Sequence, residues 1–226
     1  MKFYSTLFIF VLFSIASCHG RNVQEDEICG KQISKALGDI NNYYFTKQTA
    51  YLDSAIFILK SIENKSDKYR NIIYSDEVHA YFLHKDFSLA LTALNKVPAS
   101  VYPFPAFKDI LEDKIKAKEA ETKGDKPTQI KFFRALILIY QHYINENYQV
   151  FVTTLRQTDP DKIDNSQIDF IVTELYYYIA QTEGIHNAIN QLNVFQKSIK
   201  GNRSYFSELK KYIQSNNASS MGILLY

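Results

Sequence analysis

"YFLHKDFSLALTALNKVP", residues 81–98, decides the fold. From Phe87 the apolar residues recur in steps of three and four, at Phe87, Ala90, Leu91 and Leu94, which is the period of one helix face and not the alternation of a strand. Asp86 interrupts the preceding apolar run, and Pro98 stops the segment because proline has no amide hydrogen to continue a helix. The same order returns in "LDSAIFIL" from Leu52, "YQVFVTTL" from Tyr148 and "IHNAINQL" from Ile185. Each places a large apolar residue, a small or apolar one three later, an aliphatic one beside it, and Leu three further on. The starts lie 35, 61 and 37 residues apart. Upstream, "ICGKQISKALGDINNYYF" from Ile28 has the same helical period, and no alternating pattern persists anywhere, so the chain reads as all-α.

Spacing near 34 residues is the mark of helix-pair arrays, and these segments resemble tetratricopeptide repeats. In the best-matching stretch Tyr81 stands at the first-helix aromatic position, Asp86-Phe87 at the turn, Ala90 at the small contact position, and Pro98 after the second helix. Ala55 and Ala188 take the same small position, where Phe151 departs from the pattern. Val78 stands where the family has glycine. The resemblance spans about residues 28–200 and implies a degenerate α-solenoid of antiparallel helix pairs; an irregular helical bundle is the alternative. The 61-residue interval has room for an additional helix pair or an insertion.

Breakers place the boundaries. "VPASVYPFP", residues 97–105, holds three prolines and marks an internal joint. "KGDKP" at 123–127 ends the charged stretch "DILEDKIKAKEAE", whose alternating signs predict a solvent-exposed helix. "TDPDKIDNSQ" at 158–167 offers Asp164 or Ser166 as the cap of a helix running through "IDFIVTELYYYIAQ". "SYFSELKKYI" predicts a terminal helix covering the end of an array. The organisation expected is a helical repeat domain over 28–214, jointed at 97–105, followed by a tail over 215–226 that ends in the apolar "MGILLY".

Residues 3–17, "FYSTLFIFVLFSIAS", form an apolar run behind Lys2, of signal-peptide length and short of the roughly 20 residues that span a bilayer. The run ends in Ile15-Ala16-Ser17-Cys18, which resembles the lipobox of bacterial lipoproteins. That resemblance implies a signal peptide over 1–17, processing read from Ile15, Ala16 and Ser17, and lipid attachment at Cys18. Two other readings of Cys18 stay open: ordinary cleavage after Gly20, and a disulfide to Cys29. With Cys18 lipidated, Cys29 is a single thiol at the start of a helical stretch. "HGRNVQEDE" has nothing to bury, so residues 18–27 read as a flexible tether.

Composition excludes other classes. Apolar residues make up 46% and charged residues 22%, which is globular and not disordered. Net charge is +2 with no basic run, so nucleic acid is not an expected partner. The 17 tyrosines and 16 phenylalanines accompany abundant Ile, Asn and Lys, as codon bias produces. His142 and Glu146 are four apart but have no third ligand, and "DPDKIDN" lacks the glycine and distal Glu of a calcium loop. No metal, cofactor or catalytic residue is expected, and none of the common phosphate-binding, hydrolase or metalloprotease motifs occurs. Tyr176, Tyr177 and Tyr178 stand in succession, so at most two share one groove. Tyr81, Tyr140, Tyr143 and Tyr177 are the candidate partner-binding residues. The expectation is a non-catalytic protein-interaction scaffold, lipid-anchored to a membrane of the cell envelope and facing the periplasm or cell surface. A secreted, non-lipidated helical effector or carrier is the alternative.

Overall fold

Every regular element among the described residues of the computed structural model, 23–104, 106–157 and 166–215, is helical. The all-α expectation holds, with ten α-helices and one short 3-10 turn among those residues. They divide into two compact units, one ending at Val97 and one starting at Pro98.

The first unit holds α1 (Val23–Thr46), α2 (Thr49–Ile62), α3 (Arg70–His84) and α4 (Phe87–Lys96). α1 begins at Val23, so residues 23–27 of the stretch read as a tether are helical. Their polarity is that of a helix start: Glu25 and Asp26 occupy the first turn, where carboxylates meet the positive end of the helix dipole. Asp26 also accepts a 2.6 Å hydrogen bond from the buried Ser66 hydroxyl. Cys29, Ile33, Ala36 and Ile40 then form a stripe at steps of three and four, packed with Leu52, Ala55, Leu59 and Ile62 of α2.

With only seven glycines in the chain, lysines end several helices. Lys47, Lys85 and Lys200 are left-handed, with φ of 59°, 70° and 52°, a conformation that costs roughly 1–2 kcal/mol when a Cβ is present. At Lys85 the turn is closed in compensation: its amide donates to the Phe82 carbonyl and the Asp86 amide to that of Tyr81.

The second unit opens with the 3-10 turn Ala99–Val101 and continues through α5 (Phe107–Thr122), α6 (Lys126–Glu146), α7 (Tyr148–Gln157), α8 (Ser166–Glu183), α9 (Ile185–Ile199) and α10 (Arg203–Gln214). Asp125 caps α6 by accepting from the Thr128 amide, with Pro127 in the first turn. α6 and α8 form the centre, α5 lying on α6, and α9 and α10 on α8. The charged stretch 109–121 is not a solvated helix. α5 buries Ile110, Leu111, Lys114, Ile115, Ala117 and Ala120, because an acidic partner on α8 lets Lys114 join the inward face.

All four repeated segments are helical, in α2, α4, α7 and α9, and each buries the residues three and seven after its start. Ala55, Ala90 and Ala188 take the first of these sites and are fully buried; Phe151 takes it in α7, its ring edge-on to Tyr143 at 6.1 Å.

After α9, a Cβ at Gly201 would lie 2.3 Å from Cε2 of the fully buried Phe206. Gly201→Ala is therefore expected to lower stability by about 1–3 kcal/mol through overpacking, seen as a fall in the urea midpoint. An unchanged midpoint would mean that the Phe206 ring shifts freely.

Candidate functional site

Successive residues of a helix point about 100° apart, and the tyrosines of α8 divide accordingly. Tyr176 meets Phe195 of α9 with ring centroids 6.2 Å apart, Tyr177 lies edge-on to Phe133 of α6 at 6.4 Å, and Tyr178 stacks on Tyr140 at 6.3 Å. All three are buried. Tyr177 and Tyr140 are core residues, as is Tyr81 in the first unit, where the Lys60 ammonium lies 6.0 Å from its ring centroid. All three rings are packed inside their units, as befits a phenol whose large apolar body is buried while its hydroxyl finds an acceptor or an edge. Tyr143 is half-buried and stacked on Phe104 at 4.2 Å.

Tyr140 and Tyr178 converge on one carboxylate. Both hydroxyls donate to Glu174 Oε2 at 3.1 Å, and Lys114 Nζ stands 2.7 Å from the same oxygen, an ion pair whose side chains are 0% and 5% exposed. Lys114 also lies 4.6 Å from the Phe170 ring centroid. Burial pulls the Lys114 ammonium below its ordinary pKa while Glu174 opposes the fall. Burial, with the Glu174 charge, drives both phenols well above theirs, so they remain donors. Enclosed in this way, the cluster ties α5, α6 and α8 together.

In the first unit α3 carries a second polar set, of which His79 and Glu77 are buried. His79 Nε2 is 2.7 Å from the Tyr44 hydroxyl, and burial lowers its pKa to about 4, leaving it neutral. Asp76 is pushed up to about 7 by burial, with its Oδ2 enclosed. Glu77 is also raised by burial, against the pull of Lys60 at 3.4 Å. His84 bridges Asp53 at 3.2 Å and Asp86 at 2.7 Å.

A surface groove lies in the second unit. α6, α8, α9 and the first residue of α7 enclose a groove of about 260 Å³. Its apolar lining is Ile144, Leu175 and Ile179; three rings, Tyr148, Tyr176 and Phe195, and three side-chain amides, Gln141, Asn145 and Gln191, complete it. None of these nine is a carboxylate, an ammonium, a guanidinium or an imidazole. Burial keeps the Tyr176 phenol well above its ordinary pKa, and thus neutral. Gln191 Nε2 donates to Glu183 Oε2 at 2.9 Å. Elsewhere on these helices, Leu138 on α6 is 67% exposed and Val194 on α9 is 68% exposed.

His142 and Glu146 form an exposed pair at 3.2 Å. Cys29 is buried and has no disulfide partner among the described residues. Among the described residues no group of three His, Cys, Asp or Glu is placed to hold a metal ion, and no helix is long and apolar enough to cross a membrane. Ile15, Ala16, Ser17, Cys18, most of "TDPDKIDNSQ" and "MGILLY" lie outside the described residues. No protein-family model, curated protein or solved structure shows significant similarity to the chain.

Proposed function

We propose that this chain is a cell-envelope lipoprotein, anchored through an acylated Cys18, whose helices serve as a non-catalytic protein-interaction scaffold. The groove between α6, α8 and α9 carries the scaffold half of this reading. Its lining combines hydrogen-bonding amides with apolar and aromatic side chains, and the helices that form it leave Leu138 and Val194 in water, features of partner-binding surfaces. The common burial register of α2, α4, α7 and α9 supports a degenerate solenoid of antiparallel pairs, with Phe151 loosening the pattern at α7. The anchor half rests on Ile15-Ala16-Ser17-Cys18 following an apolar run too short to span a bilayer.

Intact mass of the mature protein from membranes, together with a Cys18→Ser variant, tests the anchor. The expected mass is that of a chain starting at acylated Cys18, and Cys18→Ser is expected to leave the membrane fraction. A mature chain starting at Arg21, or unchanged membrane retention of the variant, would replace the anchored protein with a secreted one. For the scaffold, photo-crosslinkers at Leu138 and Phe57, both exposed, are expected to trap a protein partner in the envelope. Failure at both positions in a folded protein removes the scaffold.

A further inference from the structure

Resting on the anchor reading, we propose that the end of the first unit at which α1 begins docks on the bilayer that holds Cys18, with Lys65 and Lys68 against the phosphates of anionic lipids. Reach is the first argument. Cys18 precedes Val23, the first residue of α1, by five residues, and five residues span at most about 18 Å. An acyl chain on Cys18 therefore keeps the start of α1 within that distance of the headgroups. The other end of α1 is 24 residues on, about 36 Å along the helix axis. Held so close, the near end meets the bilayer at a high effective concentration, and weak contacts suffice to orient it.

Contacts within the unit fix what shares that end. Residues 63–69, which join α2 to α3, lie against the first two turns of α1: the Ser66 hydroxyl donates to Asp26 at 2.6 Å, and a Cβ on Gly30 would stand 3.6 Å from the Tyr69 hydroxyl. Lys96, the last residue of α4, pairs with Glu63 and lies 4.8 Å from the Tyr74 ring centroid. Lys65 and Lys68 belong to the connection and are exposed.

The charges at this end decide the chemistry of the surface it meets. Most of its carboxylates are committed to cations: Glu27 pairs with Lys31 at 2.7 Å, Glu63 with both Lys60 and Lys96, and Asp67 with Arg70. Glu25 and Asp26 occupy the first turn of α1, where the positive end of the helix dipole offsets them. Lys65 and Lys68 form no ion pair among the described residues, and the Lys68 ammonium lies 4.9 Å from the Tyr69 ring centroid. Two exposed ammonium groups without counter-ions are thus held within reach of a layer of lipid phosphates. On an anionic surface each favours contact about fivefold, a gain that a surface of no net charge does not give.

The test uses mature protein from membranes, its acylated Cys18 established by intact mass. A fluorophore is attached at Asn64→Cys or at Gln48→Cys, and each protein is reconstituted in phosphatidylglycerol vesicles that carry a nitroxide quencher on the headgroup. Both positions are exposed, Asn64 on the docking end and Gln48 between α1 and α2 at the opposite end, while Cys29 is fully buried and escapes the label. The label at Asn64 is expected to be quenched and that at Gln48 to be spared. Lys65→Gln/Lys68→Gln replaces two exposed side chains, so helix content and membrane retention are expected to stay as they are. On the same vesicles it is expected to lower the ratio of docked to undocked molecules about 25-fold. Phosphatidylcholine vesicles are expected to leave the wild-type Asn64 label unquenched. Equal quenching at both positions, quenching that the double variant retains, or quenching as strong on phosphatidylcholine overturns the docking surface while the acyl mass upholds the anchor. A mature chain without that mass removes the anchor and the docking surface together.

Discussion

Glu174→Ala is expected to destabilise the unit that starts at Pro98 by about 3–5 kcal/mol, the usual effect of breaking one side of a buried ion pair. The variant strands three groups at once. Lys114, 0% exposed, loses its only counter-ion among the described residues, and the Tyr140 and Tyr178 hydroxyls lose their shared acceptor. Desolvation already weighs against the ammonium, so without Glu174 it must shed its proton or admit water. Lys114→Met/Glu174→Leu removes both charges and is expected to recover the part of the loss that the stranded ammonium causes, leaving the two phenols unpaired at about 1–3 kcal/mol each. Urea unfolding followed by near-ultraviolet dichroism of the tyrosines measures both variants. A large positive coupling energy in the double-mutant cycle is the signature. The exposed pair Lys31–Glu27 is the control, since such a pair contributes about 0–1 kcal/mol. If Glu174→Ala costs no more than breaking that pair, Lys114 reaches water and the cluster does not organise the core.

That cluster also marks the limit of what the sequence revealed. Helices are legible from period alone, and the starts of α4, α7 and α9 coincide with the repeated segments because the turn residues before them lie one after another in the chain. Lys114 was hidden because sign alternation along 109–121 is a one-dimensional pattern. What buries a lysine is a carboxylate sixty residues later on another helix. Tyrosine misled in the opposite direction. Tyr81, Tyr140 and Tyr177 read as binding rings when their partners are unknown, and as core residues once Lys60, Glu174 and Phe133 are beside them. The groove left a fainter trace: Gln141, Asn145 and Tyr148 recur at steps of four and three along α6 into α7, a stripe visible in the sequence whose α8 and α9 walls are not.

The second large effect is a dependence on pH in the first unit. Asp76 rises from 3.8 to about 7 on folding, so between those values the folded chain holds a proton that the unfolded chain has released. Stability must then fall as pH rises through that window, and the deficit is complete above pH 7. At 1.36 kcal/mol per pH unit, discounted for a residue that is only half-buried, the deficit at pH 8 is about 2–4 kcal/mol. Asp76→Asn removes it and is expected to be more stable than the wild-type chain by that amount at pH 8, with the two converging near pH 4. Glu77 is raised in the same sense but is present in both proteins, so it cancels in the comparison. His79 acts oppositely. Its pKa falls from 6.5 to about 4, so the unfolded chain binds a proton that the folded chain refuses, and stability is lost as pH drops through that range. In the wild-type chain the Asp76 and His79 slopes offset between pH 4 and 6.5, whereas in Asp76→Asn the His79 slope is opposed by the raised carboxyls that both proteins keep, Glu77 among them, and the variant loses stability relative to the wild-type chain on acidification. Thermal midpoints of both proteins from pH 4 to 8 read this directly. Parallel curves would show that the Asp76 carboxyl reaches water and titrates as an ordinary acid.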